Sequence, residues 1–234
     1  NRMTGAKRYV SAQLTAEAAF AYAGAKGWQV ATQTVGRRLE AGGWSEETRN
    51  FTWGYGGELL SENVPGFGPR EYVNAGVDDV LWSRDGQGTK FWLNDANGSV
   101  YGVTDAAGSV IERQRYDAFG KTEILDAGGA IAAQAAIGNR QGYLGRGAIP
   151  ELGMADFRNR KYDPSIGRFL SSDPLGLIDG PAVYAFCGGD PVNRTDPMGT
   201  RILYAYQEEK AFLAWAANNL SSDGFKTFVG GNQY

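Results

Sequence analysis

A short acidic word recurs in the middle of the chain at nearly regular intervals. Asp-x-x-Gly begins at Asp95, Asp105 and Asp117, at intervals of 10 and 12 residues, and strand-like residues follow each copy. An aspartate side chain closes a turn on its own backbone, and glycine adopts the positive φ that the turn needs. Because each following strand then pairs with the strand before it, the repeat predicts a β-meander of hairpins.

The glycine content extends this prediction to most of the chain. The chain has 34 glycines in 234 residues, about twice the usual share. They are spread at turn-like intervals, and short apolar and aromatic runs lie between them from residue 28 onward. We therefore predict a mainly β fold.

Three stretches depart from the strand pattern. Residues 11–26 are rich in alanine and predict a short helix that Gly24 and Gly27 end. Residues 127–139, also rich in alanine, predict a surface loop or a short helix. Within residues 201–234, apolar side chains at near-helical spacing predict an amphipathic helix of about four turns.

The composition excludes several kinds of chemistry. The chain has no histidine, so it cannot form a Ser-His-Asp triad or a histidine-ligated metal site. Its single cysteine, Cys187, allows neither an internal disulfide nor a cysteine-cluster zinc site. The glycine-rich stretches at 54–57 and 127–138 contain no Gly-Lys-Ser/Thr, which argues against phosphate binding there. We therefore expect no metal and no cofactor, and we expect acid–base work to depend on carboxylates, lysines or tyrosines.

Charge and hydropathy limit the partners. A net charge of −3 with mixed signs gives no basic surface for nucleic acid. The chain lacks an apolar run of about 18 residues, so we expect no membrane span. The first residues lack the order of a secretory signal, and we expect the chain to be a fragment of a longer protein.

Asp-Pro-x-Gly occurs twice near the C-terminus, beginning at Asp173 and at Asp196. The word is a good type I turn sequence, and the Asp-Pro pairs at Asp163 and Asp190 are interpreted as turns. Alternatively, the two carboxyls meet, share one proton and supply both an acid and a base. The separation of 23 residues does not force a contact, so both interpretations stay open.

The amino-acid sequence around these turns resembles that of a known family. "RYDAFGKT" at 115–122 is similar to the YD repeat of the RHS (rearrangement hotspot) family and of its relatives in insecticidal toxin complexes and teneurins. The similarity is good over 77–122 and looser over 28–76. Residues 143–199 specifically resemble the RHS-repeat-associated core. The resemblance divides the chain into an unassigned N-terminal segment (1–27), a YD-repeat β-sheet strip (28–142), the core (143–199) and the start of a variable C-terminal region (200–234).

The resemblance implies both a fold and a reaction. YD repeats form a curled sheet or shell around a toxic C-terminal domain, and the core plugs one end and cuts the chain after the second Asp-Pro-x-Gly. The implied residues are the aspartyl pair Asp173 and Asp196, the supporting charge Arg160, and the cut region Gly199, Thr200 and Arg201. The bond is either Gly199–Thr200 or Thr200–Arg201. Thr200 stands where the family usually has leucine.

Partners and location follow from the same resemblance. It implies a polymorphic toxin made in the cytoplasm and delivered by a bacterial secretion system in competition between bacteria. Its partners would be its own C-terminal toxin segment as cargo, a secretion-system spike or adaptor, and an immunity protein.

Two alternatives remain at this stage. The chain is either a self-cleaving core or a purely structural, adhesive YD-repeat protein whose Asp-Pro words only make turns. Arg160 equally allows a surface ion pair with Asp156 or Asp163, which contributes at most about 1 kcal/mol.

Overall fold

The computed structural model of the chain describes residues 3–23, 27 and 29–204. These residues form mainly β structure in three antiparallel sheets, and the predicted fold class is confirmed. The predicted amphipathic helix of the C-terminal region lies outside the described residues.

The largest sheet is an open meander of eleven strands, each paired with its neighbours in sequence. It does not close into a barrel. Its strands are β1 (Gly5–Val10), β2 (Gln13–Ala23), β3 (Gln29–Arg38), β4 (Trp44–Trp53), β5 (Leu59–Val64), β6 (Gly68–Gly76), β7 (Asp79–Asp85), β8 (Gly88–Asn94), β9 (Val100–Asp105), β10 (Val110–Tyr116) and β11 (Thr122–Asp126).

The helix predicted over residues 11–26 is wrong. Gln13–Ala23 form β2, which pairs with β1 on one side and β3 on the other. Ala16, Ala18 and Phe20 are buried at alternate positions, as in a strand with one covered face. Pairing on both edges and burial of one face outweigh the helix propensity of alanine. Within the segment left unassigned, β1 and β2 therefore begin the meander.

The Asp-x-x-Gly turns form as predicted. Oδ1 of Asp95 accepts from the amides two and four residues ahead, and Asp105 and Asp117 repeat this geometry at 2.8–2.9 Å. The glycine of each word, at 98, 108 and 120, has a φ of +83° or +84°. Each turn thus closes a hairpin by local contacts alone.

The alanine-rich residues 127–139 form an irregular segment without a helix in this described stretch. Three buried side chains of the sheet bind its backbone. Arg49 donates to Gly138 O at 3.0 Å, Arg70 donates to Ile137 O at 2.7 Å, and Glu112 accepts from Ala136 N at 3.0 Å. We call these three side chains the polar ladder.

Further buried groups pair with the side chains of the polar ladder. Arg49 pairs with Glu62 at 2.8 Å, and the hydroxyl of Tyr72 donates to the same carboxylate. Arg70 pairs with Asp85 at 2.8 Å. The pKa of Glu112 is raised by its burial, although Asn139 and Gln114 donate to it. This covered face of the sheet is therefore held to the segment by paired, hydrogen-bonded charges as well as by apolar contact.

Residues 140–204 pack on the covered face of the meander. They form a four-stranded sheet and a two-stranded sheet, and Ile149, Leu152 and Met154 pack against Phe20 and Val30. The last strand of the meander ends at Asp126. The strands of the two smaller sheets are β12 (Gly147–Ile149), β13 (Met154–Phe157), β14 (Arg160–Asp163), β15 (Arg168–Phe169), β16 (Arg194–Thr195) and β17 (Leu203–Tyr204).

Candidate functional site

Arg160 brings the two Asp-Pro-x-Gly turns together. It is the first residue of β14, and its Nη2 lies 2.9 Å from Oδ2 of Asp173 and 2.9 Å from Oδ2 of Asp196. The two carboxylate oxygens are therefore no further apart than twice that distance. The exposed fractions of the three side chains are 3%, 6% and 1%, so the cluster is shielded from water.

The surface ion pair considered for Arg160 is not formed. Asp156 pairs with Lys161 at 2.8 Å, and Asp163 accepts from the amide and hydroxyl of Ser165 within its own turn. Arg160 is buried and turned toward the second Asp-Pro-x-Gly word. Alternate residues of a strand face opposite sides, so neighbours in sequence were poor guides to its partner.

Both Asp-Pro-x-Gly words also form turns. Oδ1 of Asp173 accepts from Leu175 N at 2.8 Å, and Gly176 N donates to the carbonyl of Asp173 at 3.1 Å. In the second word, Gly199 N donates to the carbonyl of Asp196 at 3.2 Å. Each aspartate uses one carboxyl oxygen for backbone amides and presents the other to Arg160.

The implied cut region lies inside this cluster. Arg160 Nε donates to the carbonyl of Gly199 at 2.6 Å. Oδ1 of Asp196 accepts from Thr200 N at 2.8 Å and from Arg201 N at 3.0 Å. The Arg160 guanidinium thus binds the carbonyl of Gly199, and the Asp196 carboxyl contacts the nitrogens of both candidate bonds.

The tip of the β13–β14 hairpin binds the carbonyls just before the cut region. Its two-residue loop is Arg158 and Asn159, since Phe157 pairs with Arg160. Arg158 Nη1 donates to Pro197 O at 2.5 Å, and Asn159 Nδ2 donates to Met198 O at 2.9 Å. With Arg160 on Gly199, three successive residues bind three successive carbonyls.

Arg158 and Asn159 were missed in the sequence. The one local signal is their position beside Arg160 in "RNR". Their partners lie 39 residues further along the chain, and no local pattern reports a contact at that separation.

Gly199 has no space for a side chain. Its φ is +64°, and a Cβ at this position would lie 2.4 Å from the carbonyl oxygen of Phe157. The glycine of the second word therefore allows close approach of the backbone to β13 as well as a turn. Beyond the cut region, Ile202 N donates to Asp179 Oδ2 at 2.8 Å, and β17 pairs with β16.

Aromatic rings surround the cluster and lower the local dielectric. The Arg160 guanidinium carbon lies 3.6 Å from the centroid of the Phe169 ring, and Phe157, Tyr162 and Phe186 pack edge-to-face around it. Burial raises the pKa of Asp196 above its ordinary value, although two amides and Arg160 favour the charged form. Asp196 therefore has a physical reason to carry a proton.

Other candidate groups are accounted for by packing. Burial raises the pKa of the Cys187 thiol, and the residue packs within the aromatic cluster. In the described ranges, no three histidine, cysteine or acidic side chains are grouped as a metal site would need. Among the same residues, no helix has the length and apolar character to cross a membrane.

The fold of the chain is similar to that of a solved structure. The chain superposes on the crystal structure of TcdB2-TccC3-TEV with a TM-score of 0.55 and 16% identity, over 84% of this chain and 10% of that chain. The two share a fold. At this identity the likeness concerns the fold alone.

Sequence comparisons give shorter matches. The chain is 36% identical over 91 residues to Double-stranded DNA deaminase toxin A of Burkholderia cenocepacia H111, which is 39% of this chain and 6% of that protein. It is 47% identical over 49 residues to protein YlbH of Escherichia coli K12, which is 21% of this chain and 20% of that protein. The chain thus spans a small part of these relatives. No protein-family model matches it.

Proposed function

We propose that this chain belongs to the C-terminal part of an RHS-type toxin and cuts itself once by an intramolecular aspartyl mechanism. The carrying observation is that Arg160 contacts Asp173, Asp196 and the Gly199 carbonyl at once. The fold shared with the TccC3 complex and the match to a bacterial toxin support this proposal.

The geometry suggests a role for each group in the hydrolysis. Asp173, the more exposed carboxyl, accepts a proton from a water whose oxygen bonds to the carbonyl carbon. Arg160 stabilises the negative charge that develops on the carbonyl oxygen. Asp196 gives its proton to the leaving nitrogen, the C–N bond breaks, and a new carboxyl and a new amine result.

The Gly199–Thr200 bond has both contacts that this mechanism uses, and the Thr200–Arg201 bond has the contact with Asp196. For Gly199–Thr200, Arg160 already contacts the carbonyl that is attacked, and Asp196 contacts the leaving nitrogen. For Thr200–Arg201, Asp196 contacts the leaving nitrogen at 3.0 Å, and Arg160 contacts the carbonyl of Gly199, one residue before the attacked carbonyl. The catalyst acts on its own backbone, and well-oriented intramolecular reactions gain roughly 7–11 kcal/mol from this proximity.

Encapsulation is the second part of the proposal. The meander is an open strip whose strands pair only with sequence neighbours, so further YD repeats would extend it into a shell. The core at 143–199 closes one end, and the segment after the cut is the cargo. A secretion-system spike or adaptor would deliver the assembly, and an immunity protein would protect the producing cell.

The competing function is a structural, adhesive repeat protein. The observation that favours it is that Asp173 and Asp196 both make the hydrogen bonds of ordinary turns. Under this alternative the cluster is a buried ion pair that joins two loops, and the chain stays whole.

A denaturing gel of freshly folded chain separates the two functions. Self-cleavage gives a long piece that ends at residue 199 or 200 and a short piece that begins with Thr200 or Arg201, identified by mass spectrometry. Asp173→Asn and Asp196→Asn should remain whole. The matched control is Asp163→Asn, which alters an Asp-Pro turn outside the cluster and should cleave normally.

The new N-terminus excludes a chemical artefact. Acid hydrolysis of Asp–Pro bonds gives pieces that begin with proline, at any of the four Asp-Pro pairs. A wild-type chain that is folded and remains whole from acid to neutral pH supports the structural function instead.

A further inference from the structure

The turn between β6 and β7 brings a carboxylate of the large sheet to the candidate site. Asp78 lies in the two-residue loop between Gly76 and Asp79, which pair with each other, and its φ is +65°. Its two carboxylate oxygens lie 2.7 and 2.9 Å from Arg158 Nη2, and Arg146 Nη2 also donates to it. Asp78 of the sheet is thus the shared anion of two arginines of the core.

Arg158 also contacts the backbone just before the cut region. The guanidinium that donates from Nη2 to Asp78 also donates from Nη1 to the carbonyl of Pro197, the residue after Asp196. Arg158 is itself at a φ of +65° in the hairpin tip, and its side chain is 5% exposed. A single buried guanidinium therefore connects the sheet to the backbone that carries Asp196.

The backbone of the β6–β7 turn is also fixed against the core. A Cβ at Gly145 would lie 2.0 Å from the carbonyl oxygen of Asp78. Arg146 follows at once, with its guanidinium 5.3 Å from the centroid of the Phe157 ring. Sheet and core are therefore in close contact at this turn, and a displaced turn would leave two buried arginines without their shared anion.

We propose that Asp78 is a positioning residue for cleavage: by fixing Arg158, it places residues 197–199 against Arg160 and Asp196. The inference rests on the proposed function. The β6–β7 hairpin would then make self-cleavage depend on the assembled sheet, because the core alone lacks this anion. Asp78 contacts none of the reacting atoms and acts through Arg158.

Asp78→Asn is the informative substitution. Asparagine has the same shape and tolerates a left-handed backbone, so the turn is kept while the charge is removed. The matched control is Asp85→Asn on β7. Asp85 is fully buried and pairs with Arg70 and Lys90 away from the cluster, so this variant loses a buried charge of the same sheet without altering Arg158.

The first measurement is the single-turnover cleavage rate after refolding, divided by the folded fraction. We expect Asp78→Asn to be at least tenfold slower, with Asp85→Asn within twofold of wild type. Arg158→Lys should be slow, and the Asp78→Asn/Arg158→Lys double variant should be no slower than the slower single variant, because both substitutions act on one contact. A wild-type rate for Asp78→Asn, or an equal loss in Asp85→Asn, overturns the proposal.

A second measurement does not depend on cleavage. In the Asp173→Asn chain, hydrogen exchange of the peptide covering 197–204 reports whether the Thr200 and Arg201 amides remain bound. Asp78→Asn should raise this exchange at least tenfold and Asp85→Asn should not. If exchange rises while wild type never cleaves, the proposed function fails, and what stands is that Asp78 places residues 197–199 against Arg160 and Asp196. If exchange is unchanged, the positioning role fails.

Discussion

Arg160 and Gly199 are joined by a hydrogen bond of 2.6 Å from the guanidinium Nε to the main-chain carbonyl. The same guanidinium contacts both aspartates of the Asp-Pro-x-Gly words. Because Arg160 binds two carboxylates and a carbonyl at once, both the shape and the charge of its side chain matter. Substitutions that keep the charge and change the shape can therefore separate its role in stability from its role in cleavage.

Arg160→Met should both unfold the core and stop cleavage. It leaves Asp173 and Asp196 buried without their cation, and breaking a buried pair in this way costs about 3–5 kcal/mol. Urea denaturation gives the free energy of unfolding, and a gel gives cleavage. Arg168→Met, at an exposed position of β15, is the control and should change stability by about 0.5 kcal/mol or less.

Arg160→Lys separates charge from geometry. Lysine keeps a cation but cannot donate to Gly199, Val183 and Asp196 together, as Arg160 does. We expect this variant to fold more stably than Arg160→Met and still to cleave far more slowly than wild type. A lysine variant that cleaves normally would show that the fork of hydrogen bonds is not needed.

Stability should depend on pH through Asp196. Its pKa is raised in the folded chain, mainly by burial, so the folded state binds this proton more tightly than the unfolded state. The stabilisation is fully present below the ordinary pKa of the unfolded chain and is lost as pH rises through the raised folded value. The test compares the uncleaved Asp173→Asn chain with the same chain that also carries Asp196→Asn. As pH rises, the chain with Asp196→Asn should gain stability relative to the chain that keeps Asp196.

Urea denaturation of these two chains at several pH values checks this sign. A difference that stays constant, or that shifts the other way, contradicts a raised pKa. The cleavage rate of wild type should fall over the same rise in pH, because Asp196 donates a proton only in its neutral form.

The two glycines of the Asp-Pro-x-Gly words should respond differently to alanine. Gly176 has a φ of +74° and open space around its Cβ position, so Gly176→Ala should cost about 1–2 kcal/mol from left-handed strain. Gly199→Ala adds a clash with the Phe157 carbonyl. It should cost clearly more in thermal denaturation and abolish cleavage, whereas the Gly176 variant still cleaves; equal costs would contradict the close approach.

Tyr72→Phe tests the buried charges beside the polar ladder. It removes the hydroxyl that donates to Glu62, and loss of one partner of a buried charged group costs about 1–3 kcal/mol. Thermal denaturation should show this loss, with the cleavage rate of folded molecules unchanged. Tyr101→Phe, at a tyrosine that is 51% exposed, should have almost no effect.

The parts of the fold that local chemistry determines were predictable. The turns at Asp95, Asp105 and Asp117 close through contacts within four residues, and the sequence contains all that they need. β2 was mistaken for a helix because alanine favours helices, whereas its conformation is set by strands on both sides.

The site was predictable only in part. Asp173, Asp196 and Arg160 were identified through a family resemblance, and the structure places them together. Their catalytic roles remain predictions. Arg158 and Asp78 were not identified because they act across 39 and 80 residues of chain, and contacts of that length depend on how whole sheets pack.

The β16–β17 pair has a consequence for what a cut would achieve. Leu203 and Tyr204 pair with Thr195 and Arg194, and Ile202 is bound by Asp179. Each of these contacts joins a residue downstream of both candidate bonds to a residue upstream of them, and each hydrogen bond contributes about 0.5–1.5 kcal/mol. A nicked molecule would therefore keep its two pieces associated, and liberation of the downstream piece would be a separate, later step that denaturant or mechanical force could trigger.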